Sequence, residues 1–367
     1  MNHQEVLRTL LGSSAASIPP LVSPPASGWR SGVGAWVRRE RSRIESRIGP
    51  PRERVTWAAA PGHRRRYPAL RQALLGGYLW TELPSDSPVR LLQSTTAFEP
   101  TDVLSLGSGG GVRQRGVWDG NPVLARLGLQ GSPADPSWHF AALQRFDLEQ
   151  IPRGVASGQI DGVSWSIEAY RPGRSPTRLS LPQARQAADF VAKLPQGTSR
   201  TEVIDRATDG LMKLAVDLST VSEAVDARFT NLPAFVSHGD FWSGNLLFEG
   251  DRLTGVIDWD SWSEHGAPGL DVLHMWAEEL RRLRGVSYGE LVEQRFWSEE
   301  TVRSMVADYF TARSLDWQPD TQLILAAGWW MTAAAGAVRR NPTLAFNDTW
   351  IERNVTRPAA TFAALLA

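Results

Sequence analysis

The chain has no cysteine among its 367 residues. That excludes disulfides and thiolate metal sites, and it fits a reducing compartment. Lysine is nearly absent: it stands only at positions 193 and 213, so 37 of the 39 basic residues are arginine. Net charge is absent too, because 39 acidic side chains balance the 39 basic ones. Such a balance leaves no electrostatic footprint for nucleic acid or an anionic membrane surface. The apolar stretch Gly328 to Val338 is too short to span a bilayer and reads as a buried helix. The N-terminus lacks a basic segment followed by an apolar core, so no secretory signal is expected and the expected location is cytoplasmic. No second histidine stands at metal-ligand spacing from His238, which argues against a zinc site. What the chain does have is 42% hydrophobic residues, 16 tryptophans, and enough length for two or three structural units.

One stretch concentrates acidic and amide side chains between apolar runs: FVSHGDFWSGNLLFEGDRLTGVIDWD, residues 235 to 260. Leu246 to Phe248 reads as a strand, Glu249-Gly250-Asp251 as a turn, and Leu253 to Ile257 as a second strand. A hairpin returns the chain to its starting end. It therefore carries Asp258 back toward Asn245 and Asp240, although 13 positions separate Asn245 from Asp258. Two carboxylates and an amide at one end of a hairpin suit phosphoryl transfer. That chemistry asks for Mg²⁺ on nucleotide phosphates and an acceptor hydroxyl held in line.

His238-Gly239-Asp240, Asn245 five residues on, and Ile257-Asp258-Trp259-Asp260 resemble the aminoglycoside phosphotransferase/choline kinase family, relatives of the protein kinases. The first pattern alone would arise by chance with odds on the order of one in a thousand. The resemblance implies an α+β, bilobal, protein-kinase-like fold. Its N-lobe is small and β-rich, its C-lobe larger and mostly helical, and here an N-terminal extension would precede them. It implies ATP and Mg²⁺ as cofactors, Asp240 as catalytic base, and Asn245 and Asp258 as metal ligands. Asp260 is either support for the metal ligands or a turn residue. Asp271 resembles the family's aspartate that braces the catalytic loop from a helix start, and His238 reads as another bracing residue.

The expected domains are 1–95 as the extension, 96–173 as the N-lobe and 174–367 as the C-lobe. Helices are expected at 6–11, 36–48 and 67–79, with a Ser/Pro/Ala-rich connector over 13–27. Residues 89 to 98 alternate weakly and read as a strand. Gly107-Ser108-Gly109-Gly110-Gly111 lies between two strand-like runs, where backbone N–H groups can approach phosphates. It is similar to the family's nucleotide-covering loop. A dinucleotide-binding reading of these glycines fails, because no helix pattern follows them. The family expects a basic residue on the third strand. No lysine precedes position 193, so the match is Arg126, whose guanidinium can fork onto phosphate oxygens. A helix is expected over 135–149, with Phe140, Leu143 and Phe146 on one side. It carries no mid-helix glutamate to partner Arg126, only His139 and a late Glu149. The strand 163–170 looks like the family's hinge, where adenine would meet backbone groups of Glu168, Ala169 and Tyr170.

Helical patterns follow at 182–195, 202–229, 272–283, 288–296, 301–314, 321–338 and from 350 on. In the family such helices wall the acceptor pocket. Glu278, Glu279, Trp329 and Trp330 are candidate lining residues for a cationic or sugar-like acceptor. The expected activity is transfer of the ATP γ-phosphate to a hydroxyl of a small molecule, of aminoglycoside, choline-like, amino alcohol or sugar type, with no nucleic-acid or membrane partner. The alternative is a catalytically weak, pseudokinase-like nucleotide-binding or scaffold protein, which the arginine-for-lysine change and the missing helix glutamate favour.

Overall fold

The computed structural model describes residues 88–101, 111–132, 134–197, 216–230, 232–318 and 320–366, with 54–55, 81–82, 105–106 and a few positions between 207 and 214. The helices expected at 6–11, 36–48 and 67–79 and the 13–27 connector lie outside the described residues. So does most of 202–215. The architecture is α+β, and it divides into two compact units. One runs to Asp147 and includes Pro152–Tyr170; the other holds Leu148–Ile151 and Arg171 onward.

The main sheet of the first unit is antiparallel, and a separate two-stranded pair joins Arg54–Val55 to Thr81–Glu82. The strands of the main sheet are β1 (Phe98–Pro100), β2 (Ser105–Leu106), β3 (Val112–Trp118), β4 (Asn121–Leu129), β5 (Gly154–Ile160) and β6 (Val163–Ala169). The order is β1-β3-β4-β6-β5, with β2 also beside β3. Asp119-Gly120 and Asp161-Gly162 close the two hairpins. All four residues have positive φ, the backbone that a two-residue hairpin turn with right-handed strand twist requires. Alternation then sorts the side chains. Val112, Val123, Ala125, Leu127, Leu129, Val163 and Ile167 bury on one face against Val89, Leu92 and Phe98. Each of the valine, leucine, isoleucine and phenylalanine side chains contributes about 1.5–3 kcal/mol on burial.

Residues 89–98 are not a strand. Pro88–Thr95 form helix α1, because Val89 and Leu92 stand one turn apart and both reach the apolar face. Only Phe98–Pro100 is extended. The opposite face carries Arg126, Ser164, Ser166 and Glu168. Helix α2 (Pro136–Arg145) contributes His139 to that side. Asp135 caps the helix through the N–H of Ser137. It is shorter than the sequence suggests, and its buried residues are Pro136, His139, Ala142 and Leu143.

The second unit is mostly helical. It contains α3 (Leu181–Val191), α4 (Ser219–Phe229), α5 (Leu270–Arg284), α6 (Tyr288–Glu293), α7 (Glu300–Ala312), α8 (Thr321–Arg340), α9 (Asp348–Ile351) and α10 (Arg357–Leu366). A π turn over Glu352–Thr356 joins the last two. Two short antiparallel pairs carry the candidate site. β7 (Phe235–Ser237) pairs with β10 (Ser263–Gly266). β8 (Leu246–Glu249) pairs with β9 (Arg252–Val256), Leu246 facing Val256 and Glu249 facing Arg252. The second pair is the hairpin expected from the sequence. Among the described residues no helix is long and apolar enough to cross a membrane.

Candidate active site

In the second unit, the loop 238–245 is held from three sides. Asp271, in the first turn of α5, accepts the backbone N–H of His238 at 2.7 Å and of Gly239 at 3.0 Å. It does not cap its own helix, whose N-cap is Gly269; its carboxylate is spent on the loop. Burial pushes the Asp271 carboxyl up, against His238 and the two N–H bonds that favour the ion. His238 is fully buried. Its Nε2 lies 3.0 Å from the Ile257 carbonyl, and the Asp240 N–H points to Nδ1 at 3.3 Å. Nδ1 therefore accepts and Nε2–H donates, which fixes a neutral tautomer. Burial lowers the His238 pKa. This ring ties the 240 loop to the 257 loop and braces both.

Asn245 closes the loop. Its Nδ2 donates to the Asp240 carbonyl at 2.9 Å and to Asp240 Oδ2 at 3.0 Å. That orientation turns Oδ1 away from Asp240. The Asn245 carbonyl accepts the N–H of Ile257 at 2.9 Å, so the main chains at 245 and 257–258 lie side by side. Asp258 is half-buried with φ 70 and ψ 55. A left-handed non-glycine residue costs of order 1–3 kcal/mol and tends to mark functional loops. Asp240, Asn245 and the Asp258 main chain are thus brought together at the hairpin end. Asp260 sits exposed in the following 3₁₀ turn.

Gly239 shows how tightly the two loops meet. Its φ is +76, and an added Cβ would come 2.2 Å from the Ser261 carbonyl oxygen. Gly239→Ala is expected to lower stability by about 1–3 kcal/mol and to displace Asp240. An unchanged unfolding midpoint in denaturant would show that the approach is not needed.

In the first unit, Arg126 finds its partner on a neighbouring strand and not on the expected helix. Arg126, on β4, is 5% exposed and its Nε lies 3.3 Å from Glu168 Oε1. Glu168 is on β6, two residues from the position facing Arg126. From helix α2, His139 Nε2 donates to Glu168 Oε2 at 2.5 Å. Burial alone would raise the Glu168 pKa; Arg126 and His139 outweigh it and hold the carboxyl at about 2. An acid from the neighbouring strand, braced by a helix histidine, replaces the expected helix glutamate. A strand neighbour two positions away lies within reach of long side chains, a signal that could have been read from the pairing of the two strands.

Two expectations change here. Glu168 does not present hinge backbone: it is paired with Leu124 on one side and Gly154 on the other. The N–H groups of Ala169 and Tyr170 are also taken, by the carbonyls of Arg153 at 2.8 Å and Pro122 at 3.0 Å. The sheet ladder continues through the residues expected to be open. Of the glycine-rich loop, Gly107, Ser108, Gly109 and Gly110 lie outside the described residues. Gly111 packs closely beside Ala134 and the Leu127 carbonyl. In the second unit, Glu278 is bonded to Arg281 and Glu279 accepts the N–H of Leu179. Trp329 and Trp330 are buried. These four side chains are committed to the fold rather than to an open acceptor wall.

A sequence model of the phosphotransferase enzyme family matches residues 114–319, more than half of the chain and all of the 238–271 constellation. The chain belongs to this family, whose activity class is phosphotransfer and whose fold is kinase-like. A search of curated proteins found no match. Solved structures similar to this chain are themselves aminoglycoside phosphotransferases. One, from Streptomyces rimosus ATCC10970, is APH(3'')-Id in complex with ADP and streptomycin; it is 15% identical, with 66% of this chain and 97% of that chain covered and a TM-score of 0.45. An aminoglycoside-3'-phosphotransferase of type VIII is 18% identical, with 66% and 97% covered and a TM-score of 0.45. A thermostable mutant of APH(4)-Ia, in its apo form, is 13% identical, with 72% and 93% covered and a TM-score of 0.45. At these values the likeness says nothing about the acceptor.

Proposed function

We propose that the chain moves the γ-phosphate of ATP to a hydroxyl of a small molecule, with Asp240 as the residue that accepts or orients the hydroxyl proton. The observation that carries the reading is the pair of hydrogen bonds that Asn245 Nδ2 donates to the carbonyl and the carboxylate of Asp240. It holds one oxygen of the carboxylate and leaves the amide oxygen turned outward. The acceptor oxygen forms a bond to the γ-phosphorus, the bond to the ADP oxygen breaks, and the hydroxyl proton passes to Asp240.

The donor set fits Mg²⁺, which takes hard oxygen ligands from one or two protein groups and fills its shell with phosphate and water. Asp258 and Asn245 Oδ1 would hold it. Among the described residues no group of three His, Asp or Glu side chains could hold a metal ion, so those residues offer no cage made by the protein alone. When bound, the ion neutralises charge on the phosphate oxygens. Arg126 and the 107–111 loop would serve the phosphates, and adenine would meet carbonyls near residues 169–170. The acceptor is of aminoglycoside, choline-like, amino alcohol or sugar type, and the reaction is cytoplasmic.

Thermal unfolding with ATP, with Mg²⁺ and with both tests the site. A ligand that binds only the folded state at a hundredfold its Kd stabilises by about 2.7 kcal/mol. The expected shift needs both components and is lost in Asp258→Ala. No shift at millimolar ATP would sink the reading. A second reading, a weakly catalytic nucleotide-binding or scaffold protein, is favoured by the near-complete burial of Arg126. It predicts the same shift with no transfer to any hydroxyl acceptor.

A further inference from the structure

Helix α5 sets a second polar residue against the 238–245 loop, three positions beyond Asp271 and so on the same helix face. His274 Nε2 lies 3.7 Å from Asp240 Oδ1. The nitrogen is buried and has no hydrogen-bond partner. The other ring nitrogen is committed, because Trp329 Nε1 donates to His274 Nδ1 at 3.2 Å. An indole N–H is only a donor. Nδ1 must then carry the lone pair, and the ring proton stands on Nε2. Trp329 is itself fixed from α8, edge-on to Phe296 at 4.8 Å and to Tyr288 at 6.0 Å.

We propose that His274 is a positioning residue for the phosphoryl transfer, its Nε2–H donating to Asp240 Oδ1 and fixing the plane of that carboxylate. The inference rests on the reading of Asp240 as the base. A carboxylate's last torsion is soft, so one donor leaves the group free to turn. Asn245 holds Oδ2 at 3.0 Å, and His274 faces the other oxygen. With a donor on each oxygen the plane is set, and each oxygen keeps a lone pair for the acceptor's proton. A closure of roughly half to one ångström brings Nε2 to hydrogen-bond distance, and an unmade bond there wastes a buried donor. Trp329 excludes the tautomer that would set an Nε2 lone pair against the anionic oxygen. Burial disfavours an imidazolium at 274, while Asp240, Glu278 and Asp271 favour it and raise the pKa on balance. The Trp329 bond needs the Nδ1 lone pair, so the ring that makes it is neutral, and Nε2 bears a proton in either charge state.

Kinetics of His274→Leu and His274→Gln, with nitrogen-15 and proton NMR of the histidine rings, test the proposal. His274→Leu is expected to lower kcat roughly 10- to 100-fold, the scale of a misoriented catalytic group, with KM for ATP within about threefold. His274→Gln, whose amide N–H stands in for Nε2–H, is expected to restore most of the loss. Equal kcat in wild type and His274→Leu, or a leucine and a glutamine variant equally impaired, overturns the proposal while leaving Asp240 as base. The NMR arm needs no turnover and covers variants that fold poorly. In the wild-type protein the His274 Nε2–H signal is expected to move on Asp240→Asn and Nδ1 to be unprotonated. A signal blind to that substitution, or a proton on Nδ1, overturns it. An inactive wild type in which the signal does respond to Asp240→Asn would count against the transfer reading and leave the contact standing.

Discussion

Glu168→Ala is expected to destabilise the β-rich unit by about 3–5 kcal/mol, the scale seen when one partner is removed from a buried ion pair. The substitution strands two groups. Arg126 is 5% exposed and His139 is fully buried, and both lose the carboxylate that compensates them. Glu168→Gln is expected to come close to the alanine variant, because the amide keeps the volume but not the charge. Arg126→Met, Glu168→Leu and His139→Leu together are expected to recover much of the loss, since an apolar set of similar size removes the desolvation of all three. Amide hydrogen exchange along β4 and β6 reads the effect in the unit where it arises. A loss below about 1 kcal/mol for Glu168→Ala would show that Arg126 and His139 find other compensation.

The same pair sets an acid dependence with a definite sign. The folded-state pKa of Glu168, about 2, lies below its ordinary 4.5. The unfolded chain therefore binds the proton more readily. The contribution is fully present above pH 4.5, fades as pH falls toward 2, and is worth about 3 kcal/mol at neutral pH. In the apolar triple variant, stability between pH 5 and 3 should be flatter than in wild type.

The hairpin that gathers Asp240, Asn245 and Asp258 was legible because local rules decide it. Glu249-Gly250-Asp251 can only turn, and the flanking apolar runs must pair, so Asp258 returns to Asn245. Gly239 was legible as part of a motif, but its reason was not: it lies in the approach of the Ser261 carbonyl from a segment 22 positions later. The helix at 88–95 was misread because period-2 and period-3.6 patterns are hard to tell apart over so few residues. The partner of Arg126 was missed for another reason. The family's pattern puts the acid on the helix, whereas here cross-strand pairing offers one from β6. Taking Glu168 for open hinge backbone hid its side chain. His274 carried no signal at all: its meaning depends on Trp329, 55 positions away on another helix.

Asp240→Asn is expected to lower kcat by roughly 10²–10⁴, the range of a lost general base, which corresponds to about 2.7–5.4 kcal/mol of barrier. The loop should survive the change. Asp271 holds it through the N–H groups of His238 and Gly239, and Asn245 still has the Asp240 carbonyl to bond. What the asparagine lacks is the negative charge and a second acceptor oxygen. Its single carbonyl oxygen can face His274 or Asn245, not both, and its amide nitrogen cannot take a proton. The Mg²⁺–ATP thermal shift should therefore persist while transfer falls, with KM for ATP nearly unchanged. The lower end of the range is the stronger expectation, because a loose phosphoryl-transfer transition state asks the base for orientation before full proton abstraction. Turnover within threefold of wild type would remove Asp240 from the role. Loss of the thermal shift along with turnover would mean that the carboxylate serves the nucleotide site itself, and the base would then have to be sought elsewhere on the 238–245 loop.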